Sequence, residues 1–212
     1  DLSDAFVIVS VAANKGTPSR KGFYELISSF SRFSDEHPDT LLYLHTDPLG
    51  IAGGENLYDI MDLVSTEVRQ RILFPPSYPY LTGQIGPHTL ALAYRAADVY
   101  LSTSHGEGFG IPNCEAQLCG TPVIQPDNTA QTETCLTGHL VTCDKYLPFD
   151  GATLWARPRI SEIVANLNAA YGTRKDVTIS RETIRQRVLM FDVDRVFEQH
   201  FLPALRRTIT KE

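Results

Sequence analysis

Residues Phe6–Val11, FVIVSV, are apolar at every position but Ser10, and four of the six are β-branched. A strand with one face in water alternates polar and apolar side chains. A run without that alternation fits a strand covered on both faces, as in a parallel sheet. The rest of the chain supplies the covering layers. After a polar turn containing Gly16 and Pro18, the residues Phe23, Leu26, Ile27, Phe30 and Phe33 recur at the spacing of one helix face. Residues 41–45 then read as a second strand, 56–68 as a helix, 71–74 as a short strand and 75–87 as a loop rich in proline, tyrosine and glycine. Leu90, Ala93, Tyr94 and Ala97 mark another helix, followed by a strand over 98–102. A glycine-rich turn leads to a helix over 113–119, which Gly120 stops, and Val123 opens a further strand.

Strands alternating with helices predict an α/β fold: a Rossmann-like parallel sheet of about six strands flanked by helices, with ligands outside the carboxyl ends of the strands. The C-terminal part changes character. Ile160, Ile163, Val164, Leu167 and Tyr171 share one helix face, 172–176 is a loop, and two further helices are expected over 180–190 and 194–208. The expectation is one domain over 1–212, with a core over 1–150 and a helical tail over 151–212.

The 212 residues are enough to bury roughly 70% of the unfolded surface without disulfide or metal support. A net charge of −6 gives no basic footprint for nucleic acid, and no apolar run approaches the ~18 residues of a membrane span. The opening residues have no basic segment before their apolar run, so no signal peptide is expected. The four cysteines (Cys114, Cys119, Cys135 and Cys143) form no CxxC pair and suit a reducing, cytoplasmic compartment.

The residues with most chemical content lie in 102–124, STSHGEGFGIPNCEAQLCGTPVI. Gly108 and Gly110 let backbone amides approach a ligand, and Pro112 suits the first turn of the helix that follows. Amides at a helix N-terminus favour an anion such as a diphosphate, and Glu115 could then accept from ribose hydroxyls. The same residues also read as a structural turn, with Glu115 complementing the helix dipole.

The order of residues in EGFGIPNCEAQLCGTPVI resembles the E-x7-E signature of the retaining, GT-B-fold glycosyltransferases of family four. It departs mildly at Gln117 and Leu118, where small residues or Met are common. VSVAANKGTPSRKGFYELISSF resembles that family's opening strand, basic loop and first helix, and YRAADVYLSTSHGEGFG its approach to the motif. The resemblance covers residues 5–145 and maps to the C-terminal, donor-binding half of a two-lobed enzyme. It implies that Glu107 approaches the donor sugar, and that the amides of Gly108, Phe109, Gly110 and Ile111 face the diphosphate or sugar. It implies Glu115 on the ribose, and Phe74 and Pro75 at the base. Lys21 matches the family's diphosphate lysine. The family's arginine position is held by Lys15, with Arg20 nearby as an alternative; an ammonium and a guanidinium fork are not equivalent on a phosphate.

Three further groups are ambiguous. His45, Thr46 and Asp47 either line the pocket or form a plain loop. His105 either touches the sugar or is solvated. Asp192, Val193 and Asp194 spell DxD, yet their place before a helix favours capping; no metal and no cofactor are predicted. The resemblance implies metal-independent transfer of a sugar from a UDP- or GDP-sugar, with retention, to a glycan, lipid or protein acceptor. A non-catalytic nucleotide-sugar-binding module and an epimerase-like protein are the alternatives. The acceptor-binding N-terminal domain is expected outside this chain and is the expected partner, through which the enzyme could sit at a membrane surface.

Overall fold

The computed structural model describes residues 4–148, 154–174 and 180–209. Its β1 (Phe6–Val11) is covered on both sides. Phe6 and Ile8 belong to one core cluster, while Val9, with Val7 and Val11 against it, belongs to the other. The first cluster is completed by α1 (Phe23–Glu36), which buries Phe23, Leu26, Ile27, Phe30 and Phe33.

From β1 the chain builds outward in one direction and then returns to build in the other. β2 (Thr40–His45) and β3 (Ile72–Leu73) lie on one side of β1; β4 (Val99–Leu101), β5 (Val123–Pro126) and β6 (Gly138–Val141) lie on the other. The order is β3-β2-β1-β4-β5-β6, with every neighbouring pair parallel. Phe6 pairs with Thr40 and Ile8 with Val99, so β1 is the point where the winding reverses. A small crevice of about 10 Å³, lined by Ser10, Lys21, Thr103 and Glu107 among others, lies there above the carboxyl ends of β1 and β4, where sheets of this topology hold ligands.

Several elements differ from expectation. The helix expected over 56–68 is two short ones, α2 (Leu57–Met61) and α3 (Thr66–Arg69). Ser65 interrupts it by capping α3, its Oγ accepting from Val68 N at 3.3 Å. The loop over 75–87 contains α4 (Ser77–Leu81), and α5 (Pro87–Ala96) follows it. α6 (Ile111–Leu118) starts two residues early, where Gly110 adopts a left-handed conformation at φ 81°. A short α7 (Ala130–Thr134) precedes β6.

The hairpin of β7 (Cys143–Tyr146) and β8 (Trp155–Pro158) was not foreseen, and β8 occupies part of the stretch expected to be helical. α8 (Ile160–Thr173) packs on α1. Of the loop expected over 172–176, residues 172 and 173 instead end α8, while the part from 175 on, like the boundary at 150, lies outside the described residues. α9 (Arg181–Val188), a 3-10 turn, α10 (Val193–Val196), a π turn and α11 (Leu202–Ile209) take the place of the two last expected helices. Asp192 caps α10, accepting from the amides of Asp194 and Arg195 at 3.1 Å each. Among the described residues, no helix is long and apolar enough to cross a membrane.

Candidate functional site

Two loops meet at the reversal point, and one glycine lets them touch. Gly22 opens α1 at φ 64°, and a Cβ there would stand 2.3 Å from the carbonyl oxygen of Thr103. Thr103 Oγ1 donates to Lys21 O at 2.9 Å, and His105 N donates to Arg20 O at 2.8 Å. The loop after β1 is thus laid along the segment after β4, which fixes where the basic side chains emerge.

They emerge at Glu107. Lys21 Nζ lies 2.5 Å from Glu107 Oε1, and Arg20 Nη1 lies 3.3 Å from Oε2. Arg20 Nη1 also donates to Ser104 Oγ at 3.0 Å. Burial works to raise the Glu107 carboxyl, but the hydrogen bond and charge of Lys21, with Ser104 and Arg20, hold it below its ordinary value. Two cations around one carboxylate leave a surplus positive charge.

Beside this cluster the glycine turn runs into α6. Glu107 N donates to Thr129 Oγ1 at 2.9 Å, which anchors the start of the turn. The next four amides, of Gly108, Phe109, Gly110 and Ile111, have no hydrogen-bond acceptor among the described residues. Unpaired donors at a helix N-terminus, next to surplus positive charge, form an arrangement suited to an anion. One turn into α6, the half-buried Glu115 accepts from Tyr94 Oη at 3.0 Å. A cavity of about 200 Å³ lies against it, lined by Phe109, Ile111, Leu118, Leu189 and Phe191 among others. The ring of Phe109 meets that of Phe191 edge-on at 5.4 Å.

Among the described residues, no hydrogen bond or ion pair links the remaining expected site residues, Lys15, Phe74 and Pro75, to this cluster. Lys15 is exposed and makes no ion pair among the described residues; Arg20 stands with Lys21 at Glu107 instead. Phe74 is half-buried against the main core and 6.1 Å from the ring of Tyr58, and Pro75 is buried. Near the ends of β2 and β3, Tyr43 Oη lies 2.9 Å from His45 Nδ1, and the ring of Tyr80 meets His45 at 5.1 Å. Burial lowers the pKa of His45. Asp47 shapes its own turn, accepting from Leu49 N and Ile51 N.

His105 is neither solvated nor in the crevice. It is 4% exposed, with Nδ1 2.8 Å from Tyr146 Oη and Nε2 3.4 Å from Glu25 Oε2. Arg157 Nε reaches Glu25 Oε1 at 3.0 Å, and Ala156 N donates to His105 O at 2.9 Å. The β7–β8 hairpin therefore walls off the back of the glycine turn.

Two structural residues escaped the sequence reading. Buried Asn14 donates to Asp47 O and Glu55 O and accepts from Glu55 N, tying the loops after β1 and β2 together. Gln117 is wholly buried. Its Nε2 donates to Asn113 O and Thr134 O, and its Oε1 accepts from Leu136 N, Thr137 N and Thr137 Oγ1. A glutamine within a helix pattern carries no sign of such a role; its place in an otherwise small-residue stretch was the only hint.

The sequence model of the family described as Glycosyl transferases group 1 matches residues 6–139. Among curated proteins, the chain is 29% identical over 108 residues to mannosylfructose-phosphate synthase of Agrobacterium fabrum, across 50% of this chain and 22% of that protein. It is 30% identical over 106 residues to D-inositol 3-phosphate glycosyltransferase of Corynebacterium jeikeium, across 49% of this chain and 24% of that protein. Among solved structures, sucrose-phosphate synthase from Thermosynechococcus elongatus superposes with a TM-score of 0.69 at 20% identity, over 100% of this chain and 47% of that one. The pneumococcal O-GlcNAc transferase GtfA, solved with UDP and GlcNAc, superposes at 0.65 and 17% identity, over 100% of this chain and 38% of that one. These structural likenesses show the GT-B half fold; the chain spans less than half the length of either protein.

Proposed function

Because the chain belongs to the group 1 glycosyl transferases, we propose that it supplies the nucleotide-sugar-binding half of a retaining, family-four hexosyltransferase, with the crevice above β1 and β4 as its donor site. The observation that carries this reading is the convergence of Lys21 and Arg20 on Glu107, beside four consecutive unpaired amides that lead into α6. In this reading Glu107 and Glu115 are the two ends of the E-x7-E motif.

A nucleoside diphosphate leaving group gains negative charge as its bond to the sugar C1 breaks. Lys21, Arg20 and the amides of Gly108 to Ile111 would meet that charge with dipoles already in place, which is the form of stabilisation that costs no reorganisation during reaction. No metal is needed for that task. Glu107, held ionised by its cations, would accept hydrogen bonds from donor sugar hydroxyls, and Glu115 would accept from the ribose. The acceptor hydroxyl oxygen would bond to C1 on the face the diphosphate leaves, its proton passing to the departing phosphate oxygen, which retains configuration. The acceptor site, and the closure that excludes water, would come from a second lobe, as such hinged sites require. UDP- and GDP-hexoses are the proposed donors.

Calorimetry of the chain with UDP and with GDP tests the site. Binding of at least one, lost when Lys21 and Arg20 are both replaced by alanine, is expected. Unchanged binding by that double variant removes the assignment. Retention is tested by NMR of the anomeric centre of product formed from a UDP- or GDP-hexose.

A further inference from the structure

We propose that Tyr94 is a positioning residue, which holds the Glu115 carboxylate in the one orientation that can accept both hydroxyls of the donor ribose. The inference rests on the reading of Glu115 as the ribose acceptor and adds to it a residue from a different helix.

Tyr94 lies on α5, is 1% exposed, and packs its ring 6.0 Å from that of Tyr100. Its backbone is pinned independently of Glu115. Thr121 Oγ1 donates to Tyr94 O at 2.6 Å, and Ala97 N donates to the same oxygen at 3.2 Å. The phenol is therefore a fixed donor, and a buried O–H requires an acceptor. Among the described residues its acceptor is Glu115 Oε2, at 3.0 Å. Burial, with the neighbouring charge of Glu115, pushes the phenol well above its ordinary value, so it remains protonated and able to donate. Glu115 Oε1 has no partner among the described residues. A half-exposed glutamate otherwise samples several rotamers, and ligand binding would have to select one. The charge-assisted bond from Tyr94 makes that selection beforehand.

The test compares UDP, with GDP in parallel, against the matching 2′,3′-dideoxy diphosphate. Tyr94→Phe keeps the ring that fills the core, so the fold survives. Wild type should prefer the ribose form; Tyr94→Phe should lose about fivefold to tenfold in affinity for it, the scale of one freed side chain. Affinity for the dideoxy form should stay the same. A second variant leaves Tyr94 intact. Glu115→Gln should abolish the preference, because the phenol claims the amide oxygen and leaves the NH2 group for the sugar. Adding Tyr94→Phe to it should restore part of the preference, since the amide can then turn its oxygen to the diol.

Equal losses for both diphosphates in Tyr94→Phe, or no loss for either, would overturn the positioning role while leaving Glu115 in place. Wild type binding the ribose and dideoxy forms alike would remove the diol subsite, and the inference with it. No binding of any diphosphate would remove the donor site as a whole.

Discussion

The ammonium of Lys21 lies 2.5 Å from the carboxylate of Glu107, although the two residues are 86 positions apart in the chain. Each emerges from a loop whose backbone is bonded to the other loop, so the pair is set by the fold and not by chance contact of two long side chains. In the proposed reading, Glu107 competes for the cation that an incoming phosphate would use.

Glu107→Gln is expected to release that cation. The variant should bind UDP about threefold to tenfold more tightly, with a steeper dependence on salt, because the attraction of uncompensated charges is screened by ions. Its preference for a UDP-hexose over UDP should fall, since the hydroxyl acceptor is weakened. Titration at two ionic strengths reads both effects, and identical salt slopes for variant and wild type would contradict the competition.

Gly22→Ala should destabilise the fold by about 2–4 kcal/mol, a left-handed backbone and a backbone clash acting together. For a chain of this size the melting temperature should drop by roughly 5–15 °C. Gly108→Ala is the comparison: an added Cβ meets nothing within 4 Å, and no positive φ is involved, so its melting temperature should match wild type.

Gln117→Met fills much the same space but offers no oxygen to Leu136 N and Thr137 N and no donor to Thr134 O. Leaving such groups buried and unpaired should cost about 2–5 kcal/mol, read as a lower denaturation midpoint in urea. A midpoint equal to wild type would contradict a stabilising role for these Gln117 bonds.

Acid should unfold the protein partly through Glu25. Burial raises its carboxyl, but the hydrogen bond and charge of His105, with Arg157, outweigh this and hold it below the ordinary value of 4.5. A carboxyl lowered on folding stabilises the native state above its unfolded value, and that contribution is lost as pH falls from 4.5 through the folded value. In Glu25→Gln the stability curve below pH 4.5 should be flatter. Parallel curves for variant and wild type would contradict the assignment.

The sheet was legible because β1 carries no alternation, and α1 because five apolar residues keep one face. That the loop after β1 and the glycine turn share one end of the sheet was legible from the strand ends that carry them; the ion pair of Lys21 with Glu107 was not. What stayed hidden depends on contacts distant in sequence. The β7–β8 hairpin is built from two four-residue segments, CDKY and WARP, too short to show a pattern, and its contacts with His105 and Glu25 are distant in sequence. His105 looked free because a turn is usually wet; here a later segment covers it. Spacing pointed to Lys15 and residue type to Arg20; which of them stands beside Lys21 depends on how the loop lies along Thr103 and His105.

The wall behind the glycine turn has a consequence for where this protein can be cut. Tyr146, Trp155, Ala156 and Arg157 all lie beyond residue 139, where the family match ends. A chain truncated at that boundary would retain every proposed donor-site residue, yet it would expose His105 and strip Glu25 of its guanidinium. Removing one partner of a buried charge is among the more damaging changes a core can suffer. A unit that keeps this wall is thus longer than the stretch the family model matches, and it runs at least through β8.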